Sequence, residues 1–180
     1  VGQTIPASPG GTLTVRYNDE QASTGSFVHV EKKVAIKTYT GEVVLDKEVY
    51  SCNDRMLITI IDPDRNQDPE AYDYIQESEV KVKSTSWPSP VQMASPLSET
   101  DVNSGMFTGT FRLILYTGQT TAPQAGTIYV YHGDGVTVTY VDPIDAEGNK
   151  DTAVTATAKV SFTTATVSFD KELYQLNETA

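Results

Sequence analysis

The sequence predicts an all-β fold, an immunoglobulin-like antiparallel β-sandwich of about seven strands flanked by partial repeat units. Three observations lead there. Ten Tyr accompany Val and Thr recurring through the 180 residues, a β-branched and aromatic bias that favours strands. Apolar and polar residues alternate with period two in one segment after another, with Gly, Pro, Asn and Asp between them. The chain also repeats itself. Val43-Val-Leu-Asp-Lys-Glu-Val-Tyr-Ser-Cys-Asn53 aligns with Val167-Ser-Phe-Asp-Lys-Glu-Leu-Tyr-Gln-Leu-Asn177, and Gly10–Asp19 aligns with Gly133–Asp142, both at an offset of about 124.

The repeat divides the chain. Residues 1–40 correspond to the C-terminal hairpin portion of a preceding repeat, 41–165 to a complete Ig-like repeat, and 166–180 to the first strand of a following one. A unit of this length can hold its own core. The flanking pieces cannot, because an isolated hairpin over 11–37 or strand over 167–175 is marginal in water. They are expected to pack on the central unit, pair with each other, or pair with a neighbouring molecule.

Within 41–165 the alternation gives strand A at 43–50 and strand B at 55–61, the run Arg-Met-Leu-Ile-Thr-Ile-Ile closed by Asp-Pro. Strand C is expected at 73–85, D at 90–95, and E at 106–116, where Phe107, Phe111, Leu113 and Leu115 alternate with polar residues. F is expected at 126–141, interrupted at His132-Gly-Asp-Gly135, and G at 152–164. If these strands run up and down in order, the B–C, D–E and F–G loops share the end where strand A begins. Those loops are the acidic ones. They carry Asp62, Asp64, Asn66, Asp68, Glu70 and Asp73, then Glu99 and Asp101, then Asp142 and Asp145. The loops of the opposite end, near 51–54, 86–89 and 117–125, are mostly neutral.

Two chemistries suit such loops. Calcium takes six to eight oxygen ligands, and Asp62, Asp64, Asn66 and Asp68 offer side-chain oxygens at every second position. The match to an EF-hand stops there, since Gln67 stands where its turn Gly belongs and Asp73 where its bidentate Glu belongs. The other chemistry is turn formation, in which Asx side chains cap their own backbone. Calcium ions at short junctions between units would stiffen an array by neutralising carboxylates.

Charge and composition exclude other classes. A net charge of −11, with no basic cluster beyond Lys32-Lys33, disfavours nucleic acid. No run approaches the length of a membrane helix. The single cysteine, Cys52, forms neither an internal disulfide nor a Cys-based zinc site and reads as a small buried apolar residue. No leader is visible, and its prior removal is compatible with Val1 at the start. His29 and His132 lack a second His at metal-ligand spacing, no Gly-x-Ser-x-Gly elbow occurs, and Gly133-Asp-Gly135 has no helix behind it, so an enzyme is disfavoured. Trp87 reads either as a sugar-stacking platform or as a loop residue packed over the sandwich end. Asn177-Glu-Thr179 is a glycosylation sequon, with Asn177 the acceptor.

Taken together, Val167–Tyr174, the Asp-Pro-Asp run 59–64 with Asn66 and Asp68, and Ser98-Glu-Thr-Asp-Val-Asn-Ser-Gly-Met-Phe-Thr-Gly-Thr-Phe111 resemble the tandem Ig-like repeats of archaeal surface-layer and related large cell-surface proteins. The resemblance implies an extracellular, structural, non-catalytic role at the cell surface, with neighbouring repeats or copies of the chain itself as partners and metal ions within or between units. Two alternatives stay open. One is a self-assembling filament subunit joined by strand addition, and the other a carbohydrate- or surface-binding adhesin module.

Overall fold

The computed structural model describes residues 5, 7–21, 23, 25–163, 165–173 and 175. The fold is all-β. Strands β1 (Thr12–Asp19) and β2 (Val28–Ala35) form a two-stranded antiparallel hairpin sheet of their own. The remaining strands make two facing sheets, and the buried side chains between them form one core.

The first sheet is ordered β3 (Glu42–Leu45), β5 (Arg55–Ile61), β10 (Met106–Leu115), β9 (Leu97–Glu99), β6 (Tyr74–Ile75). β11 (Thr127–Val130) lies parallel to the C-terminal half of β10. The second sheet is ordered β4 (Val49–Tyr50), β13 (Lys150–Val160), β12 (Gly135–Ile144), β7 (Val80–Ser84), β8 (Val91–Gln92). Pleating sends alternate side chains inward. Met56, Ile58 and Ile60 of β5 thus face Val136, Val138 and Tyr140 of β12 across the core, all fully buried. Each such side chain contributes roughly 1.5–3 kcal/mol by leaving water. Gly109 breaks the inward row Phe107–Phe111 for lack of room, because a Cβ there would lie 2.8 Å from Met93 Cε and 2.9 Å from Leu97 Cγ.

Strand B is found where the alternation puts it, and strand E within a residue of it. Four expectations are corrected. Strand A is two strands in different sheets, β3 and β4, because the chain crosses over at Asp46, whose carboxylate accepts Leu57 N–H and the Tyr50 hydroxyl. The expected C strand is broken by a 3-10 turn at Glu77–Glu79, leaving β6 and β7 in opposite sheets. The expected D strand shortens to β8, and β9 was not expected at all. Strand F is likewise two strands. At 131–134 the Asp134 carboxylate accepts Tyr131 N–H and Gly133 takes φ +88°, turning the chain from β11 in one sheet into β12 in the other. Among the described residues the sandwich therefore has eleven strands where about seven are expected.

The expected strand at 167–175 is absent among its described residues, and Tyr174 lies outside them. Strand G spans 150–160 and leaves 161–163 without regular structure. Cys52 is half-buried in the turn before β5, not enclosed.

Candidate functional site

Splitting strand F does not move its last turn, and the three acidic loops do share one end. Ile61 pairs with Met106, and the Tyr140 hydroxyl reaches Asp62, which brings the 62–73, 99–105 and 142–149 segments together. Between the hairpin and β3, residues 36–41 run across this end.

Asp62 and Asp142 are buried, and each holds two donors. Asp62 follows β5 at the mouth of a 3-10 turn, Pro63–Arg65, and caps it by accepting Asp64 N–H at 3.0 Å on Oδ1. Its Oδ2 accepts the Tyr140 hydroxyl at 2.6 Å, a bond from one sheet to the other. Asp142, at the end of β12, accepts Ile144 N–H at 3.0 Å and Gly41 N–H at 2.8 Å. Asp64 accepts Tyr39 N–H at 2.8 Å. Ala146 N–H donates to Thr40 Oγ1. The joining segment is therefore fastened by three successive residues, two of them through carboxylates. Gly41 fits because it lacks a side chain, since a Cβ would stand 2.8 Å from Tyr140 Cε1.

A second group is built around Glu99 at the end of β9. Its Oε1 accepts Ser104 N–H at 2.8 Å and Gly105 N–H at 2.7 Å, and its Oε2 accepts Asp73 N–H at 3.1 Å. Gly105 is required there, with φ +62° and Pro63 Cα at 3.0 Å from where a Cβ would be. Asp73 in turn accepts Gln67 and Asp68 N–H, and Asp68 accepts Glu70 N–H. Asn66 donates to Asn103 Oδ1 at 2.7 Å. Asp145 stands apart and closes its own hairpin tip, accepting Glu147 N–H, Asn149 N–H, the Asn149 amide and the Thr152 hydroxyl. Asp101 accepts Val102 N–H from an exposed position, and Glu70 is exposed. Asn177 lies outside the described residues.

The electrostatics separate these groups. Burial pushes the Asp62 carboxyl above its ordinary range; the Tyr140 bond opposes the shift and the neighbouring Asp142 charge adds to it. Asp64 is raised as well, first by burial. The Tyr140 hydroxyl is pushed up by burial and by Asp62, which keeps it a donor. Burial raises Glu99, but its bonds from Gly105, Asp73 and Ser104 outweigh that and leave it lowered. Asp145 is lowered, first by the Asn149 amide. Arg65 could have balanced the buried carboxylates, yet its guanidinium forms a two-pronged pair with Glu79 at 2.8 and 3.0 Å. Asp62, Asp64, Asp142 and Arg65 itself border a cavity of about 160 Å³ that Pro9 and Ile144 help to close.

Of the ten residues expected to bind calcium, the geometry gathers Asp62, Asp64 and Asp142 at one spot and Glu99 with Asp73 at another, with nearly every carboxylate engaged by N–H or O–H donors. No group of three or more His, Cys, Asp or Glu among the described residues is arranged to hold a metal ion. The donor set suits turn closure.

Three participants escaped the sequence reading: Tyr140, Gly41 and Tyr39. Only Tyr140 left a trace, as the position matched by Tyr17 in the repeat. The opposite end also holds an unforeseen buried carboxylate, Asp134, which accepts Tyr131 N–H together with Ser86 N–H and its hydroxyl. Trp87 is partly buried there, packed against the core and edge-on to Tyr129 at 5.5 Å, a wedge over the sandwich end. No helix of the described residues is long and apolar enough to cross a membrane. A scan against protein-family models and a search of curated proteins both return no match.

The hairpin has the same geometry as the last two strands of the sandwich. β1–β2 opposes Leu13 to Val34 and Tyr17 to Val30, while β12–β13 opposes Val136 to Ala158 and Tyr140 to Val154. These pairs correspond at offsets of 123 and 124. Ile36 N–H donates to Gly11 O at 2.8 Å, as Val160 N–H donates to Asp134 O at 2.8 Å. The two hairpins thus share one strand register.

Proposed function

We propose that this chain is a non-catalytic structural module of an extracellular, tandemly repeated cell-surface protein, of the surface-layer kind its sequence resembles. The observation that carries the reading is the duplicated register. A hairpin built like β12–β13 stands before a complete sandwich, joined to it by a short segment whose N–H groups are tied to Asp64 and Asp142. In this reading the acidic end is the joint between units. Carboxylates fix the angle at which one unit follows another, which is what a rigid array requires. Calcium is not needed for this role. Its support is limited to the crowding of Asp62, Asp64 and Asp142 around a cavity whose one lining cation, Arg65, is paired with Glu79.

Antibodies raised against this chain test the reading. They should label intact source cells, and the label should vanish after protease is added outside. Labelling confined to permeabilised cells would refute a surface role.

A filament subunit joined by strand addition is the second reading. It is favoured by the hairpin, which among the described residues pairs with no other strand and leaves Val15, Tyr17, Val30 and Val34 all more than half exposed on one face.

A further inference from the structure

We infer that the apolar face of the β1–β2 hairpin is a docking site for the C-terminal segment 166–173 of a second copy of this chain. The inference deepens the strand-addition reading and rests on it.

The hairpin is amphipathic. Leu13, Val15, Tyr17, Val28, Val30 and Val34 share one face, while Arg16, Glu31 and Lys33 make ion pairs on the other. Tyr17 is 64% and Val15 58% exposed, whereas their equivalents in the sandwich, Tyr140 and Val138, are fully buried. The same surface therefore occurs twice in this chain, once covered and once bare. Part of what completes it in the sandwich is the segment β3 to β4: Val43 of β3, in the facing sheet, is buried in the core, and β4 extends the sheet along its edge, parallel to β13 with Val49 opposite Lys159.

The chain also carries a second copy of that segment. Val167 corresponds to Val43, Asp170 to Asp46 and Leu173 to Val49 in the repeat. Val167 is 92% exposed against 8% for Val43, and Leu173 85% against 51% for Val49. The donor and the acceptor are thus both present in each molecule. By the shared offset, Leu173 of one copy comes beside Ala35 in β2 of the next, as Val49 lies beside Lys159.

Charge does not oppose the same occupant. β1 and β2 carry Arg16, Lys32 and Lys33 against Asp19 and Glu31, a net of one positive charge in a chain of net charge −11. Lys32 sits on the apolar face opposite Val15, with Asp19 at its end opposite Val28, and the incoming segment brings the run Asp170-Lys-Glu172. Because donor and acceptor are different surfaces, the contact is head-to-tail and propagates into an open chain of molecules.

Sedimentation velocity on the full chain tests this with two variants, Val15→Asp/Tyr17→Asp in the acceptor and Val167→Asp/Leu173→Asp in the donor. All four positions are exposed, so both variants should melt like the wild type, which checks folding. The wild type should grow beyond a dimer as concentration rises from about 10 μM to 1 mM, a range typical of small interfaces. Each variant alone should stay monomeric, and an equimolar mixture should give a one-to-one dimer that goes no further. A wild type that stays monomeric throughout overturns the inference while leaving the surface-module reading to its own antibody test. A donor variant that still self-associates also overturns it, since the hairpin would then be meeting another hairpin.

Discussion

The Tyr140 hydroxyl donates to Asp62 Oδ2 at 2.6 Å, joining the two sheets at the acidic end through a fully buried pair. The loop end is held by this bond and not by apolar packing alone. Tyr140→Phe leaves the ring in place and takes away the donor from a buried carboxylate, so about 2 kcal/mol of stability should be lost. That corresponds to a fall of roughly 4–8 °C in melting temperature. Gly41→Ala should cost about 1–3 kcal/mol by pushing a methyl group into the same ring. An unchanged melt for Tyr140→Phe would show that the bond contributes nothing net.

Glu99 and Asp101 lie two residues apart in one acidic segment, and they should behave oppositely. Glu99→Ala strips the acceptor from Asp73, Ser104 and Gly105 N–H and should destabilise by about 2–4 kcal/mol. Asp101→Ala, at an exposed position with a single local bond, should stay within about 0.5 kcal/mol of the wild type. Urea titration of both variants measures the contrast, and equal losses would mean that the segment responds to charge alone.

Stability should pass through a maximum on the acid side of neutrality. Asp62 and Asp64 have folded-state pKa values raised above 3.8, so the folded protein takes up protons before the unfolded chain does. Stability therefore rises as pH falls from neutral toward that window. Glu99 and Asp145 are lowered from 4.5 and 3.8; their contribution is complete above those values and is lost as pH falls through the depressed ones. Denaturant titrations across pH should show the rise, then the loss. Asp62→Asn should flatten the rise and leave the acid loss intact. A rise of wild-type size in that variant would remove Asp62 as its source.

Calcium should matter little to this chain alone. With the carboxylates already engaged by N–H donors, millimolar calcium in place of chelator should move the melting temperature by no more than about 2 °C, as ligand linkage gives for very weak binding. A rise of ten degrees or so that disappears in Asp62→Ala/Asp64→Ala would show that ions bind, and would bring calcium back to the joint.

The strand content was legible wherever a strand keeps one face inward throughout. Arg55–Ile61 does so, and its limits can be read from the alternation Met56, Ile58, Ile60. Residues 126–141 alternate just as well, yet they serve two sheets. Alternation reports which side chains point inward and is silent on which sheet they point from, and the turn that moves the chain across is held by Asp134 with a partner far off in sequence, Ser86. Leu97–Glu99 is too short to show a period. The gathering of the acidic loops at one end followed from strand order and needed no exact count. Which groups those carboxylates hold was not legible, because most of their partners are backbone N–H groups, which every residue but proline carries. Only the folded path decides that Gly41 and Tyr39 present theirs to Asp142 and Asp64.

The parallel pairing of β4 with β13 also has a mechanical meaning. Chain leading into the sandwich arrives at the acidic end through Gly41, and chain leading out departs from the far end beyond Val160. Tension along the polypeptide would therefore slide β4 and β13 past each other. The bonds joining them, Lys159 N–H to Glu48 O and Ser161 N–H to Tyr50 O, both at 2.9 Å, run across the pull and would be loaded together instead of opening one after another. Tyr50, buried and bonded through its hydroxyl to Asp46, anchors that strand. A pulled module would hold its length until these bonds fail at once, so the sandwich acts as a shear clamp and not as a zipper.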